Sequence, residues 1–274
     1  MLKRVIKAFL PLIGAVSRRL TRDPWLDVTE VSLTVRGLDA AFDGYRIAQF
    51  SDLHLDGIST TEQRFCELVE TINAQQPDLI AFTGDFITRG FPFHQNNLIV
   101  PLSKLRARDV KVAIRGNHDQ LLHRGAIHHV IEASGMIDLD NAVYTLRRGD
   151  ACLHIAGVDS MIRRRARLDL VMAQLPRTDP AILLAHEPDF AFISGAVGRF
   201  ALQLSGHTHG GQIRLPIITR LALGRIRYSQ GWYRVGSMML YVNRGIGMMA
   251  LPLRINCRSE VTIITLKASK PPSI

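Results

Sequence analysis

The sequence predicts an α/β fold in which two packed mixed sheets are flanked by helices. In the first half of the chain, short apolar runs alternate with segments whose apolar residues recur at helical spacing. In the second half, further apolar runs follow with few helical segments between them. Such alternation is typical of α/β domains. With 274 residues, of which 47% are hydrophobic, the chain is large enough to bury one extensive core.

Each predicted element has its own local signal. Short apolar runs that end at glycine or at a polar residue predict buried strands at residues 45–51, 78–83, 110–115, 181–185 and 201–205. Apolar residues that recur every three to four positions predict helices at residues 61–75, 97–107 and 121–133. Further strands are predicted at residues 151–157, 238–242 and 260–266.

One domain is predicted for residues 23–266, because no linker rich in Pro, Gly or Ser divides them. Residues 1–22 form a separate basic segment, and the tail KASKPPSI at residues 267–274 is predicted to be disordered. The 3 cysteines are far apart in the sequence, which argues against a disulfide framework.

The turns that follow the five buried strands carry side chains able to bind metal. In chain order these candidate ligands are Asp52, His54, Asp85, Asn117, His186, His207 and His209. Open α/β sheets place their sites at the carboxyl ends of strands. Five such turns in one chain are a far stronger signal than any one of them alone.

The residue types indicate the chemistry of the site. Carboxylate, imidazole and amide oxygen together suit Mn²⁺, Fe²⁺ or Zn²⁺ rather than an all-oxygen calcium cage. Seven ligands are too many for one tetrahedral zinc ion, but they suit two ions that share a bridging carboxylate. Two such ions form a clamp for displacement at phosphorus, and a water held between them loses a proton near neutral pH. The chain has no G-x-S-x-G nucleophile motif, in agreement with hydrolysis by a metal-activated hydroxide.

The order Asp-x-His, Gly-Asp, Gly-Asn-His-Asp, His, Gly-His-x-His resembles the calcineurin-like metallophosphoesterase superfamily. The resemblance implies an αββα sandwich and two divalent ions, with Mn²⁺ expected and Fe²⁺ or Zn²⁺ as alternatives. It implies that Asp85 bridges the ions and that His118 is a catalytic residue that contacts the phosphoryl oxygen or the leaving group. The implied ligands of the first ion are Asp52, His54, Asp85 and His209, and those of the second are Asp85, Asn117, His186 and His207.

A narrower branch, the YkuE/YaeI-type bacterial phosphoesterases, is similar further along the chain. The blocks GHTHGGQIRLP, YVNRGIG and LPLRINCRSEVTIITL carry this similarity, at residues 206–216, 241–247 and 251–266. The branch is related to the UDP-diacylglucosamine pyrophosphatases of lipid A synthesis. The resemblance covers residues 45–266.

One position departs from the pattern of the protein phosphatases in this superfamily. Those enzymes read GD-x-x-DRG, and the second Asp orients the catalytic histidine. This chain has Thr88 at that place. Asp119 is adjacent to His118 in the sequence but need not face it, so the group that orients His118 stays open.

A basic cluster at Arg163, Arg164 and Arg165 has two interpretations. A run of this kind is commonly a solvated loop. Close to a phosphate site it binds substrate instead, since the guanidinium group matches phosphate with paired hydrogen bonds. These three arginines are therefore candidate substrate-binding residues.

The formal net charge is +10, and six basic residues lie within residues 1–22, which hold no acidic residue. Apolar residues of this segment recur at helical spacing opposite the basic ones, which predicts an amphipathic helix on an anionic membrane surface. Its uncharged stretch, residues 8–16, is too short to span a membrane. Alternatives are a secretory signal, an organellar presequence and a helix that packs on the protein's own core.

These observations together predict a bimetal phosphoesterase that cleaves a phosphate ester or anhydride. The expected substrate is a phosphorylated lipid such as UDP-diacylglucosamine, or another nucleotide-linked compound. The expected location is peripheral, at the cytoplasmic face of a bacterial inner membrane, and no specific nucleic acid partner is expected. The alternatives are a soluble phosphodiesterase for small nucleotides and a non-catalytic scaffold with the same fold.

Overall fold

Two six-stranded sheets form the centre of the molecule in the computed structural model, which describes residues 25–56, 60–88, 94–121, 124–215, 227–249 and 251–269. The helix predicted for residues 1–22 lies outside the described residues. Strands at all of the predicted positions are present, with ends that differ by a few residues.

The first sheet combines the N-terminal half of the chain with its last strand. In spatial order it contains β1 (Leu26–Val35), β12 (Ser259–Ala268), β2 (Arg46–Phe50), β3 (Leu79–Phe82), β4 (Val110–Ala113) and β5 (Ile137–Asp138). Strands β2 to β5 run parallel to one another, β12 is antiparallel to β2, and β1 is parallel to β12. The turns after β2, β3 and β4 therefore lie along one edge of the sheet.

The second sheet is built from the later part of the chain. In spatial order it contains β10 (Gly231–Val235), β11 (Met238–Val242), β9 (Leu202–Ser205), β8 (Ala181–Leu184), β7 (Ala151–Gly157) and β6 (Ala142–Arg148). Its four central strands are parallel and its two edge strands are antiparallel to their neighbours. Every residue of β8 and β9 is buried, as expected for parallel strands that are covered on both faces.

The two sheets pack face to face, and helices cover their outer faces. Ile47 and Val112 of the first sheet share one buried apolar cluster with Ile182 and Leu204 of the second. The helices are α1 (Glu62–Ala74), α2 (Asn96–Ser103) and α3 (Arg124–Ala133) on the first sheet, and α4 (Leu168–Gln174) and α5 (Ala191–Val197) on the second. This αββα order confirms the fold predicted from the sequence.

Helix α1 shows how local signals fix one element. Thr61 caps its start, because its side chain accepts a hydrogen bond from the Arg64 N–H at 3.3 Å. The helix buries four apolar side chains that recur every three to four positions, namely Phe65, Leu68, Val69 and Ile72. The predicted helix at residues 61–75 is therefore confirmed.

The prediction of a disordered tail at residues 267–274 is wrong for its first residues. Lys267 and Ala268 continue β12 and pair with the end of β1. The Ala268 N–H also donates to the Asp43 carboxylate at 2.9 Å. Tertiary pairing thus overrides the low strand propensity of this stretch. Residues 270–274 lie outside the described residues.

Candidate metal centre

Turns from both sheets converge at one edge of the sandwich. The turns after β2, β3 and β4 belong to the first sheet, and the turns after β8 and β9 belong to the second. The His207 N–H, from the second sheet, donates to the Asp52 carboxylate, from the first, at 3.0 Å. These turns carry the seven predicted ligands, Asp52, His54, Asp85, Asn117, His186, His207 and His209.

The first group of ligand atoms comes from Asp52, His54 and His209, which lie within 4.8 Å of one another. His54 Nε2 lies 3.1 Å from His209 Nε2 and 3.9 Å from Asp52 Oδ1. His209 Nε2 lies 3.5 Å from the same carboxylate oxygen. All three side chains are buried. Two imidazoles and a carboxylate that face one point form a candidate cation site.

The second group comes from Asp85, His186 and His207, whose ligand atoms also lie within 4.8 Å of one another. His186 Nε2 lies 3.2 Å from Asp85 Oδ2 and 3.3 Å from His207 Nδ1. The same Asp85 oxygen lies 3.5 Å from His54 Nε2 in the first group. One carboxylate oxygen therefore stands between the two groups, as a bridging ligand does.

The donor types and spacings fit a pair of divalent ions. Atoms bound about 2.0–2.2 Å from an ion stand roughly 3.0–3.5 Å apart at octahedral or tetrahedral angles. The closest contacts between ligand atoms here are 3.1–3.5 Å. Asn117 Oδ1 is buried and accepts no hydrogen bond from the described residues, so it can serve as a further oxygen ligand. The fold and the two groups thus indicate a divalent metal pair.

Burial and mutual charge set the protonation of these groups. Burial lowers the pKa of His54, lowers that of His207 to about 4, and lowers that of His209 well below its ordinary value, so all three are neutral at pH 7. Neutral imidazole is the form that binds metal. Burial alone would lower the pKa of His186 and raise that of Asp85, but their opposite charges outweigh burial and shift both pKa values the other way. A bound divalent cation would replace the proton that His186 carries beside the Asp85 carboxylate.

The ligand turns contain non-glycine residues in the left-handed backbone conformation. Five of the seven ligand residues have positive φ, namely Asp52 (51°), His54 (45°), Asp85 (61°), His207 (72°) and His209 (52°). Residues other than glycine seldom adopt this region, which costs roughly 1–2 kcal/mol each. Strain of this kind concentrates at functional sites, where the surrounding structure maintains it. The left-handed turns bring residues two apart, such as His207 and His209, to the two groups of candidate ligand atoms.

The Asp119 carboxylate links two of the ligand turns through hydrogen bonds to their backbone N–H groups. Its carboxylate accepts hydrogen bonds from the N–H groups of Asp85 at 2.9 Å, Phe86 at 2.8 Å and Gly116 at 2.8 Å. Sequence reasoning missed this role, although the Gly-Asn-His-Asp block contains the residue. Asp119 therefore fixes the backbone of the turn after β3 to that of the turn after β4.

His118 lies beside both metal groups. Its N–H donates to Asp85 Oδ1 at 2.8 Å, and its ring meets the His54 ring edge-on with centroids 5.0 Å apart. Its Nδ1 is buried and has no hydrogen-bond partner among the described residues, and the same holds for Thr88 Oγ1. Within the described part of the chain, neither Thr88 nor Asp119 orients the His118 ring.

The three candidate substrate-binding arginines differ in position. Arg163 Nε donates to the Asn117 carbonyl at 2.9 Å. Arg164 is exposed and has a left-handed backbone, with φ of 56°. Arg165 lies near Asp159, where its charge opposes the rise that burial causes in the pKa of that carboxyl. Of the three, Arg163 is the one in contact with a ligand turn.

Gly116 is required by the close packing of these turns. A Cβ added there would overlap the Asp85 carboxylate and lie 2.6 Å from the Asp85 nitrogen. We expect Gly116→Ala to lower the free energy of unfolding by about 1–3 kcal/mol through overpacking and to weaken metal binding. Urea denaturation measures the first effect. Gly125→Ala is the matched control, because nothing lies within 4 Å of its added Cβ. Equal stability of the two variants would contradict the prediction.

Comparison with protein families agrees with this geometry. Residues 45–211 match the family described as calcineurin-like phosphoesterase, a stretch that runs from the residue before β2 to just past His209. The chain belongs to the calcineurin-like phosphoesterase family. It is a metal-dependent phosphoester hydrolase.

Two bacterial relatives confirm the predicted branch of this family. The Bacillus subtilis (strain 168) metallophosphoesterase YkuE is 37% identical over 250 residues, which cover 89% of this chain and 86% of YkuE. The Escherichia coli (strain K12) phosphodiesterase YaeI is 30% identical over 201 residues, which cover 70% of this chain and 71% of YaeI.

The prediction of a location at the cytoplasmic face of a bacterial inner membrane is wrong. A relative from Danio rerio, named as a transmembrane protein with metallophosphoesterase domain, is 30% identical over 278 residues, or 96% of this chain and 61% of that protein. A sequence similar to nearly the whole of this chain thus also occurs in a vertebrate protein, so the similarity does not specify a bacterial inner membrane. Among the described residues, no helix has the length and apolar character needed to cross a bilayer.

Proposed function

We propose that this calcineurin-like phosphoesterase cleaves a phosphodiester or a phosphoanhydride of a nucleotide-linked substrate. The proposal depends on the position of Asp85 Oδ2 between the two groups of candidate ligands. This oxygen lies 3.2 Å from His186 Nε2 and 3.5 Å from His54 Nε2. A carboxylate placed between two groups of candidate ligands would hold two ions close together. A pair of divalent ions supplies Lewis-acid polarisation of phosphoryl oxygens and a water of lowered pKa.

The protein's own residues then have separate tasks. Asp85 fixes the spacing of the two groups and accepts the His118 N–H, which places the His118 ring beside the site. His118 donates a proton or a hydrogen bond to the phosphoryl or leaving-group oxygen. Arg163 Nε donates a hydrogen bond to the Asn117 carbonyl, and the other guanidinium N–H groups donate to a phosphate oxygen of the substrate.

Arg163 favours a substrate with two phosphates. A positive group beside the centre can bind the phosphate that is not cleaved, as a diphosphate requires. A lipid-linked nucleotide diphosphate such as UDP-diacylglucosamine is the substrate that we propose first. The relative YaeI is named as a phosphodiesterase, which favours a small phosphodiester as the second candidate.

A substrate panel tests these proposals. Purified protein loaded in turn with Mn²⁺, Fe²⁺ or Zn²⁺ is assayed on UDP-diacylglucosamine in detergent, UDP-glucose, bis-p-nitrophenyl phosphate and p-nitrophenyl phosphate. We expect both diphosphates to be cleaved, and the lipid-linked one with the higher kcat/KM. Equal values for the two diphosphates would exclude recognition of the lipid. Cleavage of bis-p-nitrophenyl phosphate alone would favour the second candidate, a small phosphodiester. If protein that holds two ions cleaves none of the four compounds, the non-catalytic scaffold is the remaining alternative.

A further inference from the structure

The turn after β7, residues 159–165, is attached to the metal centre at two points. At one end, the turn contacts Glu187, which directly follows the candidate ligand His186 in the sequence. Its carboxylate accepts hydrogen bonds from the Ser160 hydroxyl, from the Met161 N–H at 3.0 Å and from the Ile162 N–H at 3.4 Å. At the other end, Arg163 Nε donates to the Asn117 carbonyl at 2.9 Å.

Glu187 has a buried carboxyl group whose oxygens accept hydrogen bonds from donors of this turn. The residue is only 2% exposed and Ser160 is fully buried. The successive N–H groups of a turn form a concave site that suits an anion. The Ser160 hydroxyl oxygen in turn accepts the Arg163 N–H at 3.3 Å. Glu187 is therefore linked to the backbone of Arg163 through one intervening side chain.

We propose that Glu187 is a positioning residue that holds Arg163 in place to bind a phosphate group of the substrate. This inference rests on the proposed function. It adds that Glu187 determines where the Arg163 guanidinium group lies. Since His186 and Glu187 are neighbours, the same turn supplies a metal ligand on one side and the support for Arg163 on the other. The distance between metal centre and guanidinium group is thereby fixed by the fold.

The geometry singles out Arg163 among the basic residues of this region. Its Nε is occupied by the Asn117 carbonyl, so the two terminal NH₂ groups remain for a bidentate contact with phosphate. The nearby Arg167 is instead paired with Asp169, at 2.6 Å between Nη2 and Oδ2. Arg167 therefore provides a matched control in which an arginine charge is removed without loss of a contact to the ligand turns.

The test is a double-mutant cycle read by the binding of inorganic phosphate, which needs no turnover. Calorimetry on metal-loaded full-length protein gives the Kd of phosphate for wild type, Arg163→Gln, Glu187→Gln, the double variant and Arg167→Gln. Loss of a charge-assisted hydrogen bond raises Kd by about 10-fold or more. We expect such a rise for Arg163→Gln, a rise of similar size for Glu187→Gln, and no further rise in the double variant. Arg167→Gln should match wild type.

Metal content and steady-state kinetics separate positioning from general damage. Glu187→Gln should keep two ions per chain and raise KM more than it lowers kcat. If Glu187→Gln fails to fold, Ser160→Ala, which removes one donor to Glu187 and the link to Arg163, takes its place in the cycle. Additive effects in the double variant, loss of metal in Glu187→Gln, or an unchanged Kd in Arg163→Gln would each overturn the proposal. Failure of the proposed function has a different signature, namely normal phosphate binding without cleavage of any substrate in the panel.

Discussion

Asp85→Asn is expected to lower kcat/KM by at least about 10³-fold. The Asn side chain keeps the size of Asp but loses the charge that both ligand groups share through Oδ2, at 3.2 Å and 3.5 Å from two imidazole nitrogens. A metal pair contributes several kcal/mol of transition-state stabilisation, and each 1.4 kcal/mol corresponds to about tenfold in rate. Initial rates at saturating metal concentration measure the effect.

The control for Asp85→Asn is Asp150→Asn, the same change at an exposed position in the turn between β6 and β7. Asp150→Asn should have the kcat/KM of wild type. Far-ultraviolet circular dichroism should show that both variants are folded. An Asp85→Asn enzyme with more than about a tenth of wild-type activity would mean that the bridge is not needed, since the expected loss is far larger.

His118→Ala is expected to lower kcat by about 10²–10⁴-fold while metal content stays the same. The side chain lies against His54, but its backbone N–H provides the contact with Asp85, and alanine keeps that N–H. The loss therefore falls on the chemical step rather than on the assembly of the centre. Single-turnover rates and metal analysis of the same samples separate the two.

His129→Ala, at an exposed position of α3, is the matched control for His118→Ala and should leave kcat unchanged. If His118→Ala and His129→Ala have the same kcat, the ring takes no part in the reaction. If His118→Ala loses metal, the residue supports the ligands, and its assignment as a catalytic residue is wrong.

The ligand turns could be predicted because their signal is local. Each one is a few residues long and directly follows a buried strand, so an apolar run and the polar residues after it are sufficient to locate it. The αββα fold could be predicted for a similar reason, from the alternation of strands and helices. The pairing of Asp52 with His209, by contrast, joins opposite sheets and came only from the family resemblance.

The supporting residues could not be predicted, because their partners are distant in the sequence. Asp119 accepts hydrogen bonds from Asp85 and Phe86, more than thirty positions earlier. Glu187 contacts Met161, twenty-six positions away. A single Asp or Glu has no periodic signal that would indicate such a contact. Only the three-dimensional arrangement of the turns reveals what these carboxylates do.

Strand β1 was missed for another reason. Half-buried and exposed residues alternate along most of Leu26–Val35, which is the two-residue period of a half-covered strand. Short apolar runs predict most of the other strands, but β1 has no such run. The absence of a predicted β1 also explains the tail, because Lys267 and Ala268 pair with the end of β1.

Counting bound ions tests whether Asp85 bridges a metal pair. Wild-type protein and Asp85→Asn are dialysed against Mn²⁺, freed of unbound metal and analysed by mass spectrometry of the metal. Wild type should hold two ions per chain, and Asp85→Asn should hold one or none. One ion or none in catalytically active wild-type protein would rule out the metal pair, and two ions held equally well by Asp85→Asn would rule out the bridge.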